Sequence, residues 1–202
     1  MSELRREILE RIGNTTLLLL RKVRAKNGAR ILLKLESENP SGSMKDRMAL
    51  AMIEAAEADG RLKRGGSVVE YTAGCTGVSL AMVCAVRGYA LHIVTSDAFA
   101  REKLDHMQVL GAQLRIVPSE GGGMTEKLTR DLIETARRIA VESGAFWTDQ
   151  MRNTDQITAY HKMAEEVWTQ TNGRMTRSCK ALAQREVCAA MPKACAAAMQ
   201  HA

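Results

Sequence analysis

Between residues 30 and 170, short apolar runs alternate with longer amphipathic ones, and glycines mark the joints. The strand-like runs are Arg30 to Leu35, Ser67 to Tyr71, Ala90 to Thr95, Gln113 to Val117 and a short one opening at Phe146-Trp147. The helix-like runs are Met44 to Ala58, Val78 to Arg87, Arg101 to Leu110, Thr125 to Glu142 and Thr154 to Gln170. Gly88 and Gly111 each follow a helical run in the usual stopping position. Strand and helix in strict alternation, joined by short turns, specify an α/β fold: a parallel sheet wound with helices. Met48 and Met52 are spaced as a core stripe on the first long helix.

Ligands of such sheets sit beyond the C-terminal ends of the strands, where helices begin. That places the informative residues in four strand-to-helix turns: Glu38 to Arg47, Thr72 to Gly77, Ser96 to Glu102 and Thr148 to Asp155. In the first, Pro40 and Gly42 force a bend and Ser43 is a candidate helix cap. Lys45 then falls in the first helical turn. A partly desolvated lysine near the positive end of a helix favours its neutral amine, the form that attacks an aldehyde. Taken alone, a Lys-Asp-Arg triplet is more commonly a solvated surface turn. In the second turn, Gly74 and Gly77 permit close backbone approach to an anion, and Thr72 and Thr76 offer hydroxyls. Alone, such a turn reads equally as tight packing.

Taken together the turns have a known look. Ile12-Gly-Asn-Thr-Thr-Leu17 resembles the opening of the cysteine synthase family of pyridoxal-phosphate enzymes (fold type II). Asn39-Pro-Ser-Gly-Ser-Met-Lys-Asp-Arg47 resembles that family's lysine motif, and Thr72-Ala-Gly-Cys-Thr-Gly77 its substrate-carboxylate loop. The likeness runs through Ser96-Asp97 and Thr148-Asp-Gln150 to about Gly173. It implies that Lys45 forms the Schiff base with pyridoxal 5'-phosphate and acts as general base at the substrate's α-carbon. It implies that Thr72, Gly74, Thr76 and Gly77 hold the amino-acid carboxylate, with Gln150 a further substrate contact. The implied reaction is β-replacement on an activated serine: O-acetylserine plus sulfide to cysteine. Threonine dehydratase and cystathionine β-synthase are alternatives within the family, and the loop sits closer to the cysteine synthase style. A homodimer is implied as a possibility.

Three positions depart from the pattern. Thr16 stands where proline is usual and Ala73 where serine is common. Cys75 takes the cofactor-contacting place of an asparagine, and a thiol is a poor substitute donor. These changes bear most on substrate identity.

The rest narrows the class. No apolar run approaches the length of a membrane span, and Met1 to Arg11 lacks an apolar signal core, so the expectation is cytoplasmic. The charge of +6 comes with acidic residues interleaved and only 3% aromatics, which argues against nucleic acid. The five cysteines fit no metal-binding spacing, so free thiols and no metal are expected. His92, His106 and His161 read as structural residues.

The family pattern stops near residue 174. The division is a family portion over 1–174, with a small α/β domain over roughly 45–150, and an Ala/Cys-rich tail over 175–202. The tail carries four basic residues against one acid, Glu186. The resemblance implies a phosphate loop and a pyridine-nitrogen ligand beyond this point, so the fold is expected to be incomplete. Reading from the last base of the Met175 codon gives aspartate first, then permits a strand and a Val-Gly-Thr-Ala-Gly loop, which points to a frameshift. The expectations are weak or absent pyridoxal-phosphate binding and poor stability. Three functional readings stand: an active enzyme, an inactive frameshifted remnant, and a binding module docking on an intact homologue.

Overall fold

The computed structural model describes residues 8–22, 28 and 30–175. The tail and the frameshift expectation fall outside the described residues. Two strands, β1 (Leu17–Leu20) and β2 (Ile31–Lys34), pair antiparallel, with Leu17 opposite Lys34 and Leu20 opposite Ile31. The alternating part then runs α1 (Lys45–Ala58), β3 (Ser67–Tyr71), α2 (Cys75–Arg87), β4 (Ala90–Ser96), α3 (Arg101–Val109), β5 (Gln113–Val117), α4 (Glu126–Ser143), β6 (Phe146–Trp147) and α5 (Gln156–Gln170).

β3 to β6 form one parallel sheet in the order β5-β4-β3-β6. Side chains alternate across it, as the pleat requires. Val68, Leu91 and Ile93 point into a core shared with α1, α2, α3 and α5, where Met48, Met52, Leu80, Met107 and Tyr160 are buried. Val69 and Val94 point to the other face, against Leu128, Leu132 and Ala136 of α4. The Met48 and Met52 stripe is fully buried, as its spacing predicts. α2 is apolar nearly all round because it lies within the first core, with Val78 to Cys84 all buried. Gly88 ends α2 at φ +79°, a left-handed conformation that closes the helix by donating its N–H to Cys84 O at 2.8 Å.

The first strand-to-helix turn is fastened to the N-terminal segment by a buried charge cluster. Arg47, in the first turn of α1, donates from Nε to Glu36 Oε2 (2.7 Å) and from Nη1 to Glu166 Oε1 on α5 (2.6 Å). Its Nη2 reaches both carboxylates again, at 3.0 and 2.8 Å. Lys34 of β2 pairs with Glu166 Oε2 at 2.8 Å, and Asn14 donates its backbone N–H to Glu166 Oε1. Thr15 Oγ1 donates to Glu36, and Asn39 Oδ1 accepts from Gly13 N. Burial pushes the Glu166 carboxyl up. Hydrogen bonds from Arg47, Lys34 and Asn14 outweigh it and bring the group down to about 2.

The β1-β2 ribbon carries apolar surface: Leu18, Leu19, Ile31, Leu32 and Leu33 are each 39–46% exposed. Among the described residues no helix is long and apolar enough to cross a membrane, and no group of acidic, His or Cys side chains could hold a metal.

Removing one partner of a buried ion pair strands the others, at a cost of about 3–5 kcal/mol. Arg47→Ala should lower unfolding stability by about that much in urea titrations at neutral pH. A folded pKa below the unfolded one means stability present above the ordinary carboxylate range and lost as pH falls toward 2. That acid loss should shrink in the Arg47→Ala variant.

Candidate active site

The turn before Lys45 is held from within. Gly42 N donates to Asn39 O at 2.7 Å, and Ser41 N to Asp46 Oδ2 at 2.7 Å. Ser43 is not the cap its position suggests: Met44 is the N-cap residue, and Ser43, one place earlier, accepts from Lys45 N at 3.2 Å. Lys45 is half-buried and opens α1; Asp46 beside it is fully buried. Asp46 Oδ1 accepts from Ser79 Oγ of α2 at 2.6 Å and from Ser41 Oγ, whose hydroxyl also meets that of Ser79 at 3.1 Å. The lysine turn is thereby fastened to the start of α2, one helical turn beyond Thr76.

The second turn leaves β3 with Thr72 buried, its N–H bonded to Val94 O and its Oγ1 accepting from Gly74 N at 3.3 Å. α2 then begins at Cys75, three residues earlier than the sequence pattern predicts. Gly77 N and Val78 N both bond back to Gly74 O, so Cys75, Thr76 and Gly77 belong to the first helical turn and not to a loop. The first N–H groups of a helix have no partner within it, which suits the end of α2 to an anion. Ala73 and Cys75 are exposed, and a Cβ on Gly74 would meet nothing within 4 Å, so this stretch is open to approach. Gly77 is different. A Cβ there would lie 2.3 Å from Met107 Sδ and 2.7 Å from Thr72 Cγ2, so its lack of a side chain lets α2 close on α3.

The fourth of the strand-to-helix turns, Thr148 to Asp155, completes the arrangement. From β3 the chain moves outward to β4 and β5, then returns to β6 on the other side of β3. This reversal opens the crevice where α/β sheets bind ligands, and Gln150 stands beside it. Thr76 Oγ1 donates to Gln150 Oε1 at 2.7 Å, and Gln150 Nε2 donates to Tyr71 O at 3.3 Å. Two residues chosen from separate motifs, 74 positions apart, are thus in direct contact. Beneath them lies Glu70, a residue the sequence pattern did not single out. Its carboxyl is fully buried and accepts from Thr148 Oγ1 (2.5 Å), Gln150 N (2.9 Å) and Tyr71 N (2.9 Å). Burial pushes it up to about 7 against the pull of those three hydrogen bonds, and Asp149 adds to the rise. The available signal was one acid in the buried run Val68-Val69-Glu70.

Lys45, Thr72, Gly74, Cys75, Thr76, Gly77 and Gln150 therefore sit on three turns at one edge of the sheet, linked through Asp46-Ser79 and Thr76-Gln150. His106 and His161 are exposed on helix surfaces. A groove of about 490 Å³ between α1 and α5 is lined by Ile12, Leu50, Glu54, Ala159, Lys162 and Glu165 among others. Arg47, the last residue of the lysine turn, lines it, but none of the seven candidate site residues does.

A family model described as pyridoxal-phosphate dependent enzyme matches residues 8–179. The chain belongs to this family. Cysteine synthase B of Escherichia coli (strain K12) is 39% identical over 170 residues, covering 82% of this chain and 53% of that protein. The cysteine synthase of Entamoeba histolytica, solved by crystallography, superposes with a TM-score of 0.83 at 32% identity, covering 93% of this chain and 56% of that one. A mutant of O-ureido-L-serine synthase with O-ureido-L-serine bound matches with a TM-score of 0.84 at 28% identity, over 96% of this chain and 59% of that one. The chain spans about half the length of the first curated relatives it matches.

The chemistry of the two turns suits an aldehyde cofactor beside an anionic ligand. A half-buried lysine opens one helix, and an open small-residue turn opens the next.

Two stability outcomes follow from this geometry. Gly77→Ala forces a methyl against Thr72 and Met107, and should cost about 1–3 kcal/mol in denaturant unfolding. Glu70 has a folded pKa above its unfolded one, so its contribution is fully present below the ordinary carboxylate range and lost as pH rises through about 7. The loss should be on the order of 3 kcal/mol between pH 4 and 8. Unfolding of Glu70→Gln should lack that slope.

Proposed function

We propose that this chain carries the lysine and the substrate-carboxylate turn of a β-replacement site, acting on O-acetyl-L-serine with sulfide as the incoming nucleophile. The observation that supports this best is the Asp46-Ser79 bridge, which sets the Lys45 turn against the open start of α2 at the switch of the sheet. The cysteine synthases among the relatives supply the reaction class.

Pyridoxal phosphate, when bound, supplies the electron sink that makes the amino acid's α-proton removable. Lys45 would hold it through its amine, and Cys75 at the start of α2 would stand beside it. With substrate in place, the Lys45 amine would be the base that takes the α-proton. The amino-acid carboxylate is placed by the start of α2 and by the hydroxyls of Thr72 and Thr76. An arriving carboxylate competes with Gln150 Oε1 for the Thr76 hydroxyl hydrogen, while Gln150 can turn its amide N–H toward the ligand. The N–H of Gly77 is already bonded to Gly74 O, so Gly77 acts by closing the packing beneath the turn. In net terms, acetate leaves the β-carbon with the bonding pair, hydrosulfide forms the new C–S bond there, and the proton returns to the α-carbon. O-Ureido-L-serine, bound in one solved relative, presents the same α-amino carboxylate, so this turn would accept it in the same way.

The test is the visible spectrum of the purified protein with added pyridoxal phosphate, beside Lys45→Ala. The expected result is an absorption band in the parent that is missing in the variant. Cysteine formation from O-acetyl-L-serine and sulfide should fall by on the order of 10²–10⁴-fold with it. A folded parent with no Lys45-dependent band removes the reading. A band without turnover leaves a cofactor site that is not an active enzyme, the second outcome the sequence pattern allows.

A further inference from the structure

The Gln150 turn is built around one side chain. Asp149 takes φ +41°, in the left-handed region that aspartate enters more readily than most residues. Asn153 Nδ2 donates to Thr148 O at 3.0 Å, and Gln156 Nε2 donates to both Gln150 O and Asn153 O at 2.7 Å. Those bonds are made by groups of the turn itself and the helix that follows it. The turn meets β3 through the Thr148 N–H on Val69 O at 3.1 Å, through Gln150 Nε2 on Tyr71 O, and through the Glu70 side chain, which accepts the Gln150 N–H and the Thr148 hydroxyl on the same oxygen.

We propose that Glu70 is the positioning residue of the carboxylate turn: it sets where Gln150 stands against Thr76, and a single proton at Glu70 is coupled to that position. This rests on reading the turn as the binder of an amino-acid carboxylate. The network has two self-consistent states. As a carboxylate, Glu70 accepts from Thr148 Oγ1, Gln150 N and Tyr71 N. As an acid, its O–H donates to Thr148 Oγ1, and the Thr148 hydroxyl turns its hydrogen to Val69 O, 3.5 Å away. The proton moves between Glu70 and solvent with no other bond made or broken. The two states differ in the pull on Gln150 N–H, since an anionic oxygen is the stronger acceptor.

The charged groups of this neighbourhood are few. From the turn, Asp149 opposes ionisation of Glu70. Arg152 acts on Tyr71, which sits on Glu70's own strand. α2 and α5 contribute the uncharged Thr76 and Gln156. An anionic ligand at the turn adds a second negative charge beside the site and favours the protonated state. Carboxylate affinity should therefore fall as pH rises through the Glu70 step.

The experiment uses the whole chain without added cofactor, following amide resonances by NMR from pH 5 to 9 in the parent, Glu70→Gln and Glu70→Ala. In the parent, Gln150 and Thr148 amides should shift in one common step, with β5 amides still. The step should vanish in Glu70→Gln. Exchange of the Gln150 N–H with solvent should be at least about tenfold faster in Glu70→Ala, as expected for loss of one hydrogen bond to a charged group. A flat pH profile in the parent overturns the proposal, as does a step that persists in Glu70→Gln, which keeps the test decisive if Glu70→Ala does not fold. Titration with O-acetyl-L-serine then separates the two readings. Weaker binding above the step supports both. A Glu70 step with no O-acetyl-L-serine response overturns the carboxylate reading and leaves the positioning role standing. Binding that ignores the step overturns its coupling to ligand.

Discussion

The guanidinium of Arg47 is the tie on which the rest of the arrangement hangs. One planar group engages two carboxylates, Glu36 and Glu166, and through them the N-terminal segment, β2 and α5. Its side chain is 4% exposed, so its charge is tolerated only because both carboxylates face it. Burial opposes that charge, yet the hydrogen bonds to Glu166 and Glu36 hold the group above its ordinary range. Because Arg47 lies two residues after Lys45, whatever fixes the arginine also fixes the start of the lysine helix. A lysine would supply the charge without the fork, and could not bridge both acids in one plane.

A second tie, smaller and uncharged on one side, does the same for the opposing turn. Asp46 faces away from Arg47's partners and takes Ser41 and Ser79 instead. The consecutive residues Lys45, Asp46 and Arg47 thus have three separate destinations: the turn, α2 and the N-terminal cluster. The triplet that alone reads as a solvated surface turn is buried at two of its three positions.

Much of this was legible beforehand, and the exceptions have physical reasons. β3 and β5 lie where the apolar runs place them, because Gly65-Gly66 and Gly111 bound them sharply. Nothing in Leu17 to Leu20 marks β1, because the run has no alternation and the strand depends on its pairing with β2. The start of α2 is hidden in the sequence because Cys-Thr-Gly has the composition of a turn, while the extended backbone at Gly74, φ −174°, lets the helix begin at once. The motif residues Thr76 and Gln150 could be chosen separately, but their contact could not be read from spacing. Glu70 and Glu166 were silent for the same reason: their partners lie 80 and 119 residues away, and an acid in a strand or on a helix reads as a solvated face.

The strand order has a consequence in time. β6 joins the sheet beside β3, so the Gln150 turn meets Glu70 only after two strands and three helices have been passed. Contacts of such long sequence separation are the slow ones to form. The Lys45 turn, by contrast, is tied to α2 across 33 residues. A growing chain leaving the ribosome can therefore tie its lysine turn to α2 early, while the Gln150 turn and then Glu166 of α5, the partner of Arg47, arrive only later. Until then the Glu70 carboxyl, made to be buried, is left beside an open strand edge. The interval before β6 docks is when this chain is most exposed to pairing with the wrong strand.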